Sequence, residues 1–138
     1  MIEQLNQSDV KDAWLLAKEL GYLVDEEVFY ENLAEIGKQQ SILLAAKIDG
    51  KVCGFLVARL NVGIVEGVYG EIVALVVSKN YRRIGLGREL VKAAEKWLSL
   101  HSNVVRVRSN VKRIEAHEFY IALGFNHSKT QALYAKSV

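Results

Sequence analysis

A mixed α/β fold with a largely antiparallel sheet is predicted by three observations. First, Asp49-Gly50 separates two apolar runs, 42–48 and 52–60. That residue pair suits a two-residue hairpin turn whose central positions both take positive φ. Second, an apolar run over 71–78 is followed by a helical pattern from Gly85 and then by another strand-like run, 103–109. A strand–helix–strand unit of this kind demands a right-handed crossover and one parallel pair. Third, apolar residues recur at helical spacing in two segments ahead of the first hairpin.

Residues 2–5 read as a short first strand. Ser8 is the expected N-cap of a helix carrying Val10, Ala13, Trp14, Ala17 and Leu20 on one face, with Gly21 as its stop. Asp25 is the expected cap of a second, shorter helix with Phe29, Leu33 and Ile36 as its apolar positions and Gly37 at its end. The hairpin strands follow. Segment 61–70, with Gly63, Gly67 and Gly70, reads as a mobile loop. After the strand at 71–78, the helix from Gly85 sets Leu86, Leu90, Ala94 and Trp97 against Arg88, Lys92, Glu95 and Ser99. The strand at 103–109 precedes a helix over 112–123, with Ala116, Phe119, Tyr120 and Leu123 on one side and Gly124 after it. A final strand is expected at 133–136, with one more short strand near 125–130.

Length and composition narrow the function. The 138 residues fit one domain, 1–138, large enough to bury a core without staples. With 51% hydrophobic and 25% charged residues the balance is that of a globular protein. Eighteen basic against 16 acidic residues argue against nucleic acid as a partner. The single cysteine, Cys53, reads as a small buried hydrophobe. No apolar run approaches the roughly 20 residues of a membrane span, and the N-terminus shows no basic stretch leading into an apolar core. The expectation is a cytoplasmic protein with no membrane partner. His101, His117 and His127 lack metal-ligand spacing, so no metal is expected.

The most informative stretch is the turn after residue 78. It reads Arg82-Arg83-Ile84-Gly85-Leu86-Gly87-Arg88 and enters a helix. Unpaired N–H groups and the helix dipole make such a place attractive to phosphate, and the arginines add full charges. A dinucleotide fingerprint needs a third glycine where this chain has Leu90, and a P-loop needs Gly-Lys-Ser/Thr, which is absent.

The remaining pattern, Arg82-x-x-Gly85-x-Gly87, resembles the acetyl-CoA loop of the GNAT N-acetyltransferases. Residues 71–77, with acidic Glu71 at their start, look like that family's central strand. Ala116-His-Glu-Phe-Tyr-Ile-Ala-Leu-Gly-Phe125 resembles its late helix, with Tyr120 at the tyrosine position. The resemblance covers residues 40–138 well and 1–40 in outline. It implies the GNAT fold: a central, mostly antiparallel sheet with one parallel, splayed strand pair and helices on both faces. It also implies acetyl-CoA as cosubstrate. The backbones of Leu75, Val76 and Val77 would pair with its pantetheine arm in the gap, and its pyrophosphate would sit on residues 82–87. Where many relatives carry Asn, this chain has Arg113, which can reach a cofactor oxygen instead. Asn110 is out of register for that role and reads as a helix cap.

The same resemblance implies a chemistry. An amine of pKa ~10.4 is only about one part in 2,500 neutral at pH 7, a cost of about 4.6 kcal/mol. A general base helps, and Glu71 is at the family's acidic position. Tyr120 would give a proton or hydrogen bond to the departing thiolate. Each residue has a plainer reading as well: Glu71 as a structural carboxylate at a bulge, Tyr120 as core with a bonded hydroxyl. Arg106 and Arg108 read as a solvated strand face. The expected function is acetyl transfer from acetyl-CoA to a primary amine of a small molecule or peptide, by direct attack in a ternary complex. The alternative is a non-catalytic acyl-CoA-binding sensor module. Family habit allows a homodimer, with no residue specifying its interface. The acceptor pocket falls to residues 14–40 and 61–70, where Glu26, Glu27, Glu31, Glu35 and Glu66 either favour a cationic amine or form solvated surface.

Overall fold

The computed structural model describes residues 1–109 and 111–138. The Asn110 cap therefore lies outside the described residues. The chain divides into two compact units, Met1–Val107 and Arg108–Val138.

The first unit holds strand β1 (Ile2–Gln4), helices α1 (Val10–Glu19) and α2 (Glu26–Gly37), strands β2 (Ser41–Ile48), β3 (Lys51–Gly63) and β4 (Gly67–Val77), helix α3 (Leu86–Leu98) and strand β5 (Val105–Val107). The five strands lie in chain order in one sheet. The first three pairings are antiparallel, and β4–β5 is parallel. The turn between β2 and β3 has the predicted chemistry: Asp49 has φ 52° and Gly50 φ 76°.

Helices cover both faces of this sheet. Along β3 successive side chains alternate. Phe55 and Val57 join Ala13, Leu16, Ala17, Leu33 and Val76 in a core under α1 and α2. Gly54 and Leu56 face the other way, and a Cβ at Gly54 would lie 3.4 Å from Leu90 of α3. The α3 stripe of Leu86, Leu90, Val91, Ala94 and Leu98 is buried. Each fully buried leucine contributes about 1.5–3 kcal/mol of transfer free energy. Leu98 anchors the last turn, and Trp97 is only half-buried. The helix stripe thus drifts one position from the predicted face.

α1 is entered differently from the prediction. A 3-10 turn, Gln7–Asp9, precedes it, and Asp9 rather than Ser8 supplies the acceptor: its Oδ2 accepts the Asn6 N–H at 2.9 Å. Asp9 is buried and pairs with Lys47 Nζ at 2.9 Å. Burial opposes its charge, but the Lys47 and Asn6 hydrogen bonds outweigh it and hold the carboxyl below its ordinary 3.8. Gly37 ends α2 as read, but Asp25 at its N-cap position makes no side-chain capping hydrogen bond, and α2, at 12 residues, is longer than α1, at 10, rather than shorter. The Trp14 indole N–H donates to the Val24 carbonyl at 2.7 Å, fastening the α1–α2 connection.

Segment 61–70 is not a loop. β3 runs to Gly63 and β4 starts at Gly67, in register Asn61↔Tyr69 and Val62↔Val68. Only residues 64–66 form the turn, and Gly67 supplies its positive φ of 73°. Gly70 is a packing glycine: a Cβ there would meet the Leu98 side chain at 2.9 Å. Three glycines suggested looseness, while the alternation of Asn61, Val62, Val68 and Tyr69 carried the ladder.

β5 is shorter than the predicted 103–109. The second unit contains α4 (Ile114–Ala122). It ends in a Schellman motif: Gly124, φ 95°, donates its N–H to Ile121 and Phe125 donates to Tyr120. The strands expected near 125–130 and at 133–136 are not formed; Leu133 and Tyr134 are 94% and 90% exposed. Among the described residues no helix is long and apolar enough to cross a membrane.

Candidate functional site

The site is built on β4 and the turn that follows it. Antiparallel pairing with β3 runs the length of β4, but the parallel pairing with β5 stops at Ile72. Register slips by one between Val57 and Ala58, so Val73 is a bulge residue where the partnering changes. Beyond it, among the described residues, no strand pairs with the β5 side of β4.

The direction of the backbone groups there follows from one hydrogen bond. Ser78 N–H donates to the Cys53 carbonyl on β3 at 2.8 Å. In antiparallel pairing the direction alternates residue by residue. Val76 therefore directs its N–H and C=O at β3. Leu75 and Val77 direct theirs away from it, toward the open edge. Of the three backbones predicted to meet a pantetheine arm, two have this aim and Val76 does not.

The chain then turns through Ser78, whose Oγ accepts the Asn80 N–H at 3.4 Å, and a 3-10 turn, Lys79–Tyr81. Arg82 is extended, Arg83 is left-handed at φ 66°, and Gly85 is left-handed at φ 87° as the N-cap of α3. Left-handed residues in a turn aim successive N–H groups to one side, which makes an anion-binding concavity. Space around Gly85 is open, so its glycine is required by φ alone. Arg82, Arg83, Ile84 and Arg88 are exposed, whereas the Leu86 side chain is buried, so Leu86 offers a ligand only its backbone. Gly87 is half-buried in the first turn. The N–H groups of that turn have no intrahelical acceptor.

Glu71 lies in the paired half of β4 and is 5% exposed. Arg59 is its cross-strand partner, and its Nη2 is 3.3 Å from Glu71 Oε1. Asn61 Nδ2 donates to the same oxygen. On the β5 side, Arg106 is the register neighbour of Glu71. It pairs with Glu66 at 3.3 Å and stacks 4.3 Å over the Tyr69 ring. The reading of Arg106 as a simple solvated arginine therefore gives way to a structured one. Arg59 and Asn61 were missed in the sequence. Their signal is an i, i+2 pair of polar residues closing an apolar strand, and it becomes meaningful only once 61–70 is known to be hairpin.

Two predicted residues belong to the second unit. Arg113 precedes α4 and is exposed. Tyr120 is half-buried in an aromatic group, edge-on to Phe119 at 5.2 Å and to Phe125 at 5.6 Å. Among the described residues no group of three or more His, Cys, Asp or Glu is arranged to hold a metal ion.

This arrangement has relatives. An uncharacterized N-acetyltransferase of Methanocaldococcus jannaschii is 29% identical over 86 residues, covering 61% of this chain and 52% of that protein. An N-alpha-acetyltransferase of Sulfurisphaera tokodaii is 27% identical over 110 residues, covering 73% of this chain and 64% of that protein. The chain thus spans between half and two thirds of the length of these relatives. The fold superposes on the aminoglycoside N-acetyltransferase AAC(6')-Iy in complex with a CoA-based bisubstrate analog, with a TM-score of 0.87 at 20% identity, covering 100% of this chain and 98% of the other. The model of the Acetyltransferase (GNAT) family matches residues 9–125, and the chain belongs to that family.

Proposed function

We propose that this protein is an N-acetyltransferase that moves the acetyl group of acetyl-CoA to a primary amine of a small molecule or peptide, by direct attack in a ternary complex. The observation that carries this reading is the continuity of two features along one strand: an open backbone edge at Leu75 and Val77, running into a left-handed Arg83–Gly85 turn at the head of α3. The edge suits an amide-bearing arm, and the turn with Arg82 and Arg83 suits a pyrophosphate. That the aminoglycoside enzyme of the same fold was solved with a CoA-based analog agrees with it.

Acetyl-CoA supplies an activated acyl group as its thioester. This chain supplies position and proton handling. Holding amine and thioester in line can contribute about 7–11 kcal/mol. Glu71 receives the amine proton, directly or through water, and Tyr120 gives a hydrogen bond to the departing sulfur. Arg113 serves as a further contact to the cosubstrate. The amine class is drawn broadly, because acceptor pockets depend on variable segments; here those are α1, α2 and the β3–β4 hairpin.

The test is calorimetry with acetyl-CoA and with CoA on the wild type and on Gly85→Asp. The variant places a Cβ at φ 87° and a negative charge beside the turn. Micromolar binding that falls at least a hundredfold in the variant supports the site, and an amine screen with thiol detection then finds the acceptor. Absence of binding to the wild type would sink the reading. Binding without transfer to any amine would favour the acyl-CoA sensor.

A further inference from the structure

We propose that Arg59 and Asn61 are positioning residues for Glu71: their donors converge on Oε1 and hold the carboxylate in one orientation, ionised, beside the place where an amine would be deprotonated. This rests on the acetyltransferase reading above and assigns to that site two residues outside its loop and late helix.

The geometry is specific. Arg59 and Glu71 are opposite each other on β3 and β4, and Asn61 is two residues further along the same face. Arg59 approaches Oε1 with Nε at 3.4 Å and Nη2 at 3.3 Å, and Asn61 Nδ2 donates to that oxygen too. Three N–H groups from two side chains thus meet one carboxylate oxygen. The Glu71 side chain is 6% exposed, so burial alone would disfavour its charge, while an adjacent guanidinium and an amide donor favour it. Arg106 neighbours Glu71 in the parallel register, yet its Nη1 is directed at Glu66 and its guanidinium covers Tyr69. Among the described residues, the charged groups near Glu71 include Arg59 from β3 and Arg106 from β5 with its partner Glu66, and the neutral phenol of Tyr69 lies on β4 itself. Of these, Arg59 has the direct contact.

The arrangement has a chemical cost. A carboxylate held by a cation is available as a base to low pH, but it is a weaker base. It suits orienting an ammonium group and relaying its proton through water better than strong proton abstraction. Asn61 adds a fixed direction, because an amide donor has no charge to supply and its orientation is set by the hairpin.

The experiment compares Arg59→Gln, Arg59→Lys and Asn61→Leu in two measurements. The first is the pH profile of kcat/KM with the acceptor found by the amine screen. The second is an NMR titration of the Glu71 carboxyl by carbon-13 shift, which needs no turnover. Retained acetyl-CoA binding by calorimetry shows that each variant is folded. The expected result is that Arg59→Gln moves the acid limb, and the carboxyl titration, up by about one unit or more. Arg59→Lys keeps both near wild type. Asn61→Leu lowers kcat at least tenfold with a smaller shift. If Arg59→Gln does not fold, Arg59→Lys and Asn61→Leu are read in the same way. A Glu71 titration in Arg59→Gln that superimposes on wild type overturns the proposal, as does an equal shift in Arg59→Gln and Arg59→Lys. Should Glu71→Gln leave the pH profile unchanged, the base assignment fails by itself, and the carboxyl titration still decides the positioning.

Discussion

The two halves of β4 differ in sequence and in what borders them: residues 67–72 include two glycines, Tyr69 and Glu71, whereas residues 73–77 are apolar throughout. From Gly67 to Ile72 the strand lies beside β3, and from Gly70 it also has β5 on its other side. Leu98 packs over Gly70, and Glu71 is enclosed by Arg59 and Asn61. From 73 to 77, among the described residues, β3 is the only strand paired with it. The bulge at Val73 is the boundary. The first half fixes one carboxylate in one place. In the second, the backbone groups of Leu75 and Val77 are directed away from β3. The difference in pairing is set by what lies at the strand's edges.

Variants can separate the halves. The largest effects are expected in turnover. Glu71→Gln, in the enclosed half, and Tyr120→Phe should each lower kcat/KM by ~10²–10⁴-fold, about 2.7–5.4 kcal/mol, with acetyl-CoA affinity unchanged. Steady-state kinetics beside calorimetry checks this, and either variant at wild-type kcat/KM over the whole pH range removes that residue from the mechanism. Next comes Leu98→Ala, which opens a cavity over the enclosed half and should cost about 2–5 kcal/mol of stability in denaturant titration. A loss well below that would mean Leu98 is not the anchor of α3.

A proline pair probes the open half. Val76→Pro removes an N–H directed at β3 and leaves its acceptor unpaired, costing about 1–3 kcal/mol of stability. Val77→Pro removes an N–H directed at the open edge. It should cost less stability but weaken acetyl-CoA binding about three- to tenfold, the worth of one hydrogen bond. Equal behaviour of the two prolines would contradict the assigned backbone directions.

The smallest effect is a control remote from β4. Asp9 has a carboxyl held below 3.8, so its stabilising contribution is present above that value and is lost as pH falls through the lower folded one. Lys47, raised chiefly by its hydrogen bond to Asp9, contributes below its ordinary 10.5 and loses that contribution as pH rises through the higher folded value. Lys47→Met should destabilise the protein at pH 7, and the difference from wild type should shrink on acidification as Asp9 is protonated. A pH-independent difference would show that the pair acts through packing alone.

How much of this was legible in the sequence depended on range. Asp49-Gly50 and the turn at residues 82–87 were readable because their chemistry is local: positive φ and glycine sit where the chain must bend. The Glu71 partners were not, since Arg59 and Asn61 become neighbours of Glu71 only through a hairpin register that three glycines concealed. Gly70 was read as a loop residue because its reason is Leu98, 28 positions away. The strand expected at 133–136 failed for a related cause. Apolar residues at 132–135 are no guarantee of a ladder, because a strand forms only where its backbone finds a partner.

The close seat of Leu98 on Gly70 also gives α3 a metric role. Its first residue, Leu86, follows the Arg83–Gly85 turn, and its last, Leu98, packs at Gly70, the residue before Glu71 on the strand leading to that turn. Thirteen residues at 1.5 Å each make a rod of about 20 Å. Strand and rod run side by side and share both ends, so the separation between the carboxylate and the turn is gauged twice. One residue inserted into α3 would advance that gauge by about 1.5 Å and rotate its far end by about 100°. Leu98 would leave Gly70, and the two ends of the site would no longer be measured against the same standard.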